Sequence, residues 1–287
     1  MSVAQLGRGR VPTTVTRAGR RDLLVTVSLV IIALLALMAV TGPWLTPYDP
    51  DELNVGPIEQ PISGAHWLGT DDLGRDILSR ILAGARSSLV GPVFVVILST
   101  VLGTVIGVAA AWYGGWVDAV LSRVIDVIFA IPGLVLAVLA VALFGKGLTA
   151  PVIALSIAYV PIVARLIRGV ASAELARSYF EVLQVQGVHP VYAVGRHLVP
   201  ALLPGLLAQC GIGFGYAMLD LAAISYLGLG VQPPAADWGV MISGGQGSIL
   251  AGAFEQSVYP ALFIIVTVLA VNIVGARITA WAESRDK

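Results

Sequence analysis

EVLQVQGVHPVYAVGRHLVP, residues Glu181–Pro200, is a polar, punctuated stretch set between two long apolar runs. The run before it is cut off by Arg165 and Arg168. After it, the 23 residues from His197 to Leu219 carry no formal charge with His197 neutral. Glycine suits the left-handed position that follows a helix, and proline suits a first helical turn. These signals predict a short helix ending near Gly187, a turn at His189-Pro190 and a second helix running into Pro200. Such an elbow presents a compact knob to a partner at a membrane surface.

The composition explains the apolar runs. Of 287 residues 57% are hydrophobic and 12% charged, with a mean hydropathy of +0.89, whereas soluble domains are about a quarter charged. The formal charge is zero, so no basic patch points to nucleic acid. The lone Cys210 excludes a disulfide framework. Charge-poor runs place spans at roughly Leu23–Thr41, Ser88–Trp112, Ala119–Phe144, Leu148–Ile167, Ala201–Ile224 and Val258–Trp281. Each is about 20 residues or more, enough to cross a core of about 30 Å. Only helices and closed barrels satisfy their backbone in lipid, and no alternating ten-residue strands are present. The expected fold is all-α and polytopic, with about six transmembrane helices.

Lys and Arg orient it. An N-terminus inside puts Arg8, Arg10, Arg17, Arg20, Arg21, Arg123, Arg165, Arg168, Arg177, Arg196, Arg277, Arg285 and Lys287 on the cytosolic side. Arg75, Arg80, Arg86 and Lys146 are then outside, thirteen against four. Both termini and the elbow are therefore expected in the cytosol. The organisation reads as a tail (1–22), a retained anchor helix (23–41), an outer segment (42–87) and a transmembrane domain (88–281) with the cytosolic loop at about 169–200. Within the outer segment, five prolines and four acids between Pro43 and Trp67 predict an irregular loop. Leu73, Ile77, Ile81 and Leu82 then share one helical face, which predicts an amphipathic helix lying at the interface. Ser225–Gln246, with Pro233-Pro234 and several glycines, is expected as a semi-buried loop at the outer mouth.

The elbow resembles the cytoplasmic signature loop of ABC-importer permeases: Glu-Ala-Ala, three residues, Gly, nine residues, Ile-x-Leu-Pro. Here the pattern falls on Glu181-Val182-Leu183, Gly187 and His197-Leu198-Val199-Pro200 with its spacing intact, Val182, Leu183 and Val199 being departures. GTDDLGRDILSRILAGARSSL and SYLGLGVQPPAADWG are similar to segments of the peptide/nickel branch and its shorter, C-type permease subunit. The resemblance implies a type I importer permease in a bacterial inner membrane. It also implies a second homologous permease, cytosolic ATPase subunits carrying ATP and magnesium, and an extracytoplasmic substrate-binding protein, with lipid as the remaining neighbour. It places Glu181, Gly187, His189, Pro190, His197 and Pro200 in the ATPase-coupling loop. Di- or oligopeptides are the implied cargo, with nickel chelates, glutathione or haem as alternatives. No G-x-x-x-x-G-K-[ST] occurs, so ATP chemistry belongs on another chain and no cofactor is expected in this one.

Two membrane carboxylates remain. Burying a charge at mid-membrane costs about 2.5–3.5 kcal/mol on insertion scales, so such groups face a bundle interior or a wet path. Asp126 lies three residues after Arg123, and an i,i+3 pair is the simplest reading. Asp220 has no basic residue within helical reach. It either lines the pathway or hydrogen-bonds a neighbouring helix or the partner permease. A gradient-driven carrier relaying protons or ions through Asp126 and Asp220 is the alternative transport class. Enzymatic readings fail: His66, His189 and His197 are far apart, with no metal-ligand spacing. Gly103 and Gly107, at small-xxx-small spacing, point to close helix contact.

Overall fold

The computed structural model describes residues 15–285; most of the expected tail, with Arg8 and Arg10, and Lys287 at the other end lie outside the described residues. Long helices dominate. The first, α1 (Val15–Leu45), contains an apolar span from Leu23 to Leu45, and α2 (Ile77–Tyr113) and α5 (Thr149–Leu175) are each long and apolar enough to cross a bilayer. So are the run Pro190–Tyr226 and, within α11 (Glu255–Arg285), Glu255–Trp281. The sixth crossing is a broken one: α3 (Gly115–Phe129) and α4 (Gly133–Phe144) meet at 77°.

That break corrects the single straight span expected over Ala119–Phe144. Pro132 has no N–H to donate and its ring excludes a continuing helix, so it sits extended (φ −57°, ψ 130°) and α4 restarts at Gly133. Ile131-Pro132-Gly133 was the local signal, masked by the apolarity on either side.

The second correction concerns the interfacial helix. Residues 77 onward are the first turns of α2, not a separate helix on the membrane surface, and Leu73 and Arg75 precede the helix. Ile77, Ile81 and Ala85 are fully buried in a cluster with Met218, Trp238 and Ile264. The polar face is closed as well. Arg75 Nε donates to Asp71 Oδ2 at 2.6 Å; Arg80, 2% exposed, donates to the carbonyls of Pro50 at 2.7 Å and Pro234 at 3.3 Å. Asp76 caps α2 by accepting from Ser79 N at 2.8 Å and lies 3.0 Å from His66 Nδ1. Periodicity reveals an amphipathic face but not that the chain 46–76 folds back to cover it.

The 226–251 segment is semi-buried as expected and contains helices of its own, α9 (Trp238–Gly244) and α10 (Gln246–Ala251). Trp238 is fully buried and its indole donates to Ile81 O at 3.1 Å. Asp237 caps α9 and accepts from Ser88 Oγ at 2.9 Å; burial pushes its carboxyl above the usual carboxylate range. Together with 46–76 this segment forms a cap over one end of the bundle.

The spans pack most closely where side chains are smallest. A Cβ on Gly103 would stand 2.6 Å from Val163 Cβ, and one on Gly107 would stand 2.7 Å from Ala164 O. The small-xxx-small pair of α2 is thus the seam against α5, as the spacing predicts.

Candidate functional site

The elbow lies at the end of the bundle opposite the cap. Its first limb is α6 (Ser178–Val185). The helix closes with Gln186 N donating to Val182 O at 3.0 Å and Val188 N to Leu183 O at 3.1 Å, bonds that require the left-handed Gly187 (φ +69°) between them. His189 then caps the second limb, its Nδ1 accepting from Val191 N at 3.3 Å, with Pro190 in the first turn of α7 (Pro190–Ala193). The helix–turn–helix lies where the sequence places it.

The second limb differs in one respect. It does not stop at Pro200: α7, a π turn (Val194–Leu198) and α8 (Val199–Tyr226) follow as one long helix. Pro200 cannot donate to the carbonyl of Arg196, which frees the preceding turn to widen, and Val199 N bonds back to Val194 O instead. A rotation of the elbow would therefore be passed directly to α8.

Phe180, Ala193 and Leu198, all buried, anchor the knob against Val108 of α2 and Val163 and Ile167 of α5. Tyr179 donates to Glu174 Oε1 at 2.5 Å; burial, reinforced by that carboxylate, pushes its phenol up to about 12, so it stays a neutral donor. The rings of Tyr179 and Tyr192 flank His197 at 6.4 and 6.2 Å. Glu181, Val182, Val185 and Gly187 remain exposed on the first limb and turn and form a small ridge with one carboxylate. Val185 is 89% exposed. Apolar side chains held out on a rigid turn are suited to seating in a protein groove and offer nothing to covalent chemistry.

The carboxylates have partners on other helices. Asp126 is bridged by Arg165 of α5 at 2.7 Å, not by Arg123; the same guanidinium lies 4.1 Å over the Phe129 ring. Arg168 pairs in parallel with Asp118, so the two arginines that end the apolar run bind α3 to α5. Helical spacing within α3 could not reveal partners that come from across the fold. Asp220 accepts a 2.8 Å hydrogen bond from the Tyr159 hydroxyl of α5. Tyr159 also adjoins Gly133, the first residue of α4, so this bond ties α8 to α5 beside the break. Sequence reasoning missed Tyr159, and an isolated tyrosine in an apolar run carries no signal of its own. Among the described residues no group of three His, Cys, Asp or Glu side chains could hold a metal ion.

Comparison with known proteins agrees with this architecture. Residues 103–286 match the family of binding-protein-dependent transport system inner membrane components, and residues 17–61 match the N-terminal transmembrane domain of oligopeptide transport permease C. The chain is 37% identical over 262 residues to the glutathione transport system permease protein GsiD of Pectobacterium atrosepticum, covering 89% of this chain and 85% of that protein. It is 37% identical over 265 residues to GsiD of Escherichia coli O6:K15:H31, covering 90% and 85%. Among solved structures, the inward-facing MetNI methionine ABC transporter superposes with a TM-score of 0.57 at 19% identity, over 71% of this chain and 96% of that one. An amino acid ABC transporter with histidines gives 0.51 at 22%, over 70% and 93%. The chain therefore belongs to the binding-protein-dependent transport family and is a transmembrane permease subunit of an ABC importer.

Proposed function

We propose that this permease forms half of a translocation pathway for small peptides, glutathione among them, and that Glu181–Pro200 is its coupling element for a cytosolic ATPase. The observation that carries the coupling role is the elbow itself. A ridge around Glu181 and Val185 is held rigid by Phe180 and by the left-handed Gly187, and is continuous with α8 through Pro200. His189, Pro190 and His197 set the angle of the second limb. Closure of an ATPase groove around the ridge would reach the spans without a flexible joint between. A second permease completes the pathway, and an extracytoplasmic binding protein delivers cargo to the cap, where residues 46–76 and 226–251 are fastened together by Arg80. The peptide and glutathione reading rests on the 37% identity to GsiD. The Asp126–Arg165 pair and the Asp220–Tyr159 bond give each carboxylate a structural partner, which supports a structural role over an ion relay.

The test is reconstitution of the chain with a second permease, an ATPase and a binding protein of the same family, followed by uptake of glutathione, di- and tripeptides, a nickel chelate and haem. ATP-dependent uptake of glutathione or short peptides, requiring all components, is the expected result. Uptake by the chain alone, driven by an ion gradient, would overturn it.

A further inference from the structure

A groove of about 390 Å³ runs along the elbow end of α2, walled by Val105, Val108 and Trp112 on one side and by Val191, Val194 and Val199 of the elbow's second limb on the other. At Gly195 it opens into a shallow basin bordered by His189 and Arg196. The two share Val191 and Gly195. A Cβ on Gly195 would meet nothing within 4 Å, so the missing side chain leaves the passage open. From Val105 to Trp112 at about 1.5 Å per residue is about 10 Å, most of one leaflet's hydrocarbon depth of about 15 Å. Trp112 and the exposed Tyr113 stand at its polar end, where aromatic residues favour the membrane–water boundary. Arg196 is exposed and forms no salt bridge among the described residues. One end of this channel is thus apolar and the other cationic, at interfacial depth.

We propose that this groove binds an anionic phospholipid, its acyl chain lying against Val105, Val108 and Val194 and its phosphate held by Arg196 with His189. Basic pockets beside transmembrane helices take such headgroups, and the cytoplasmic leaflet is where anionic lipid faces basic residues. The occupant wedges α2 from the π turn, so it bears on the same joint that the coupling role requires. The leaflet follows from the cytosolic elbow proposed above, whereas lipid capture by the isolated chain does not depend on it, so the two readings fail separately.

Native mass spectrometry of the purified full chain, titrated with phosphatidylglycerol or phosphatidylcholine, tests the site. One phosphatidylglycerol should bind saturably and ahead of phosphatidylcholine, and inorganic phosphate should not displace it. Arg196→Gln, a surface change, should weaken that first site by about fivefold, the worth of one basic residue against an anionic headgroup. Gly195→Leu, which fills the passage on a helical backbone, should do at least as much. Arg177→Gln, whose guanidinium is engaged by Glu174 at 3.0 Å, should leave it unchanged. Equal binding of the two lipids, or indifference to Arg196→Gln, would refute the site. So would loss of the second permease from the intact complex on Gly195→Leu while phosphatidylglycerol binding stays intact, since the groove would then belong to a protein neighbour.

Discussion

At Gly187 the space is empty and the backbone is not: no atom lies within 4 Å of a Cβ built there, yet φ is +69°. The two facts predict different variants. Gly187→Val should strain the turn by about 1 kcal/mol or more and misdirect the second limb, because a β-branched residue resists the left-handed region. Gly187→Asn should be far milder, since asparagine visits that region readily. In the reconstituted importer we expect transport and ATPase association to fall with Val and largely survive with Asn. Equal activity of the two would remove the turn from the coupling path. Asp220 divides in a similar way. Asn retains an acceptor for the Tyr159 hydroxyl, whereas Leu leaves that hydroxyl unpaired at about 1–3 kcal/mol. Complex yield should therefore drop for Asp220→Leu and hold for Asp220→Asn. If Asn nonetheless abolishes uptake while yield holds, the charge is needed on the pathway as well as at the helix seam.

Two devices hold the elements in place: contact between small residues, and buried charge. Gly103→Leu pushes a side chain into Val163, where Cβ alone would already be 2.6 Å away, so the α2–α5 seam must open at about 1–3 kcal/mol. The expected outcome is a lower melting temperature of the purified chain by tryptophan fluorescence, with Gly205→Leu, at an open position of α8, as the unaffected control. Arg80→Met breaks a different device. It strands the Pro50 and Pro234 carbonyls at about 1–3 kcal/mol for each buried acceptor left without a donor, while Asp71 keeps Arg75. Residues 46–76 should then become protease-sensitive while the spans stay folded. The small-residue seam and the elbow were legible in the sequence because each is local: a spacing of four, a glycine after a helix, a proline in a first turn. The cap, the Arg165–Asp126 pair and the Tyr159–Asp220 bond were not, because each joins residues tens of positions apart whose proximity is a product of the fold. The α3–α4 break falls between these cases, since Pro132 marks it plainly but a window of apolar residues reads across it.

For the molecule as a whole, the decisive quantity is which end faces the cytosol, because coupling, cargo delivery and the leaflet that would supply the lipid all assume the elbow is inside and the cap outside. Thirteen cationic residues against four argue for it from loop charge, and single thiols can test it. Within the cap Ala235 is exposed, whereas its neighbour Ala236 is only 9% exposed, so Ala235 is the reporter for that end. Val185, 89% exposed at the elbow, serves for the other end. In a Cys210→Ala background, Ala235→Cys should react with a membrane-impermeant maleimide added to intact spheroplasts, and Val185→Cys should react only in inverted vesicles. Bound ATPase should then shield Val185→Cys from the reagent in those vesicles and leave Ala235→Cys untouched. Reversed labelling would place the cap in the cytosol and leave the elbow with no ATPase to engage. Correct labelling without shielding would keep the orientation and move the docking surface elsewhere on the cytosolic face.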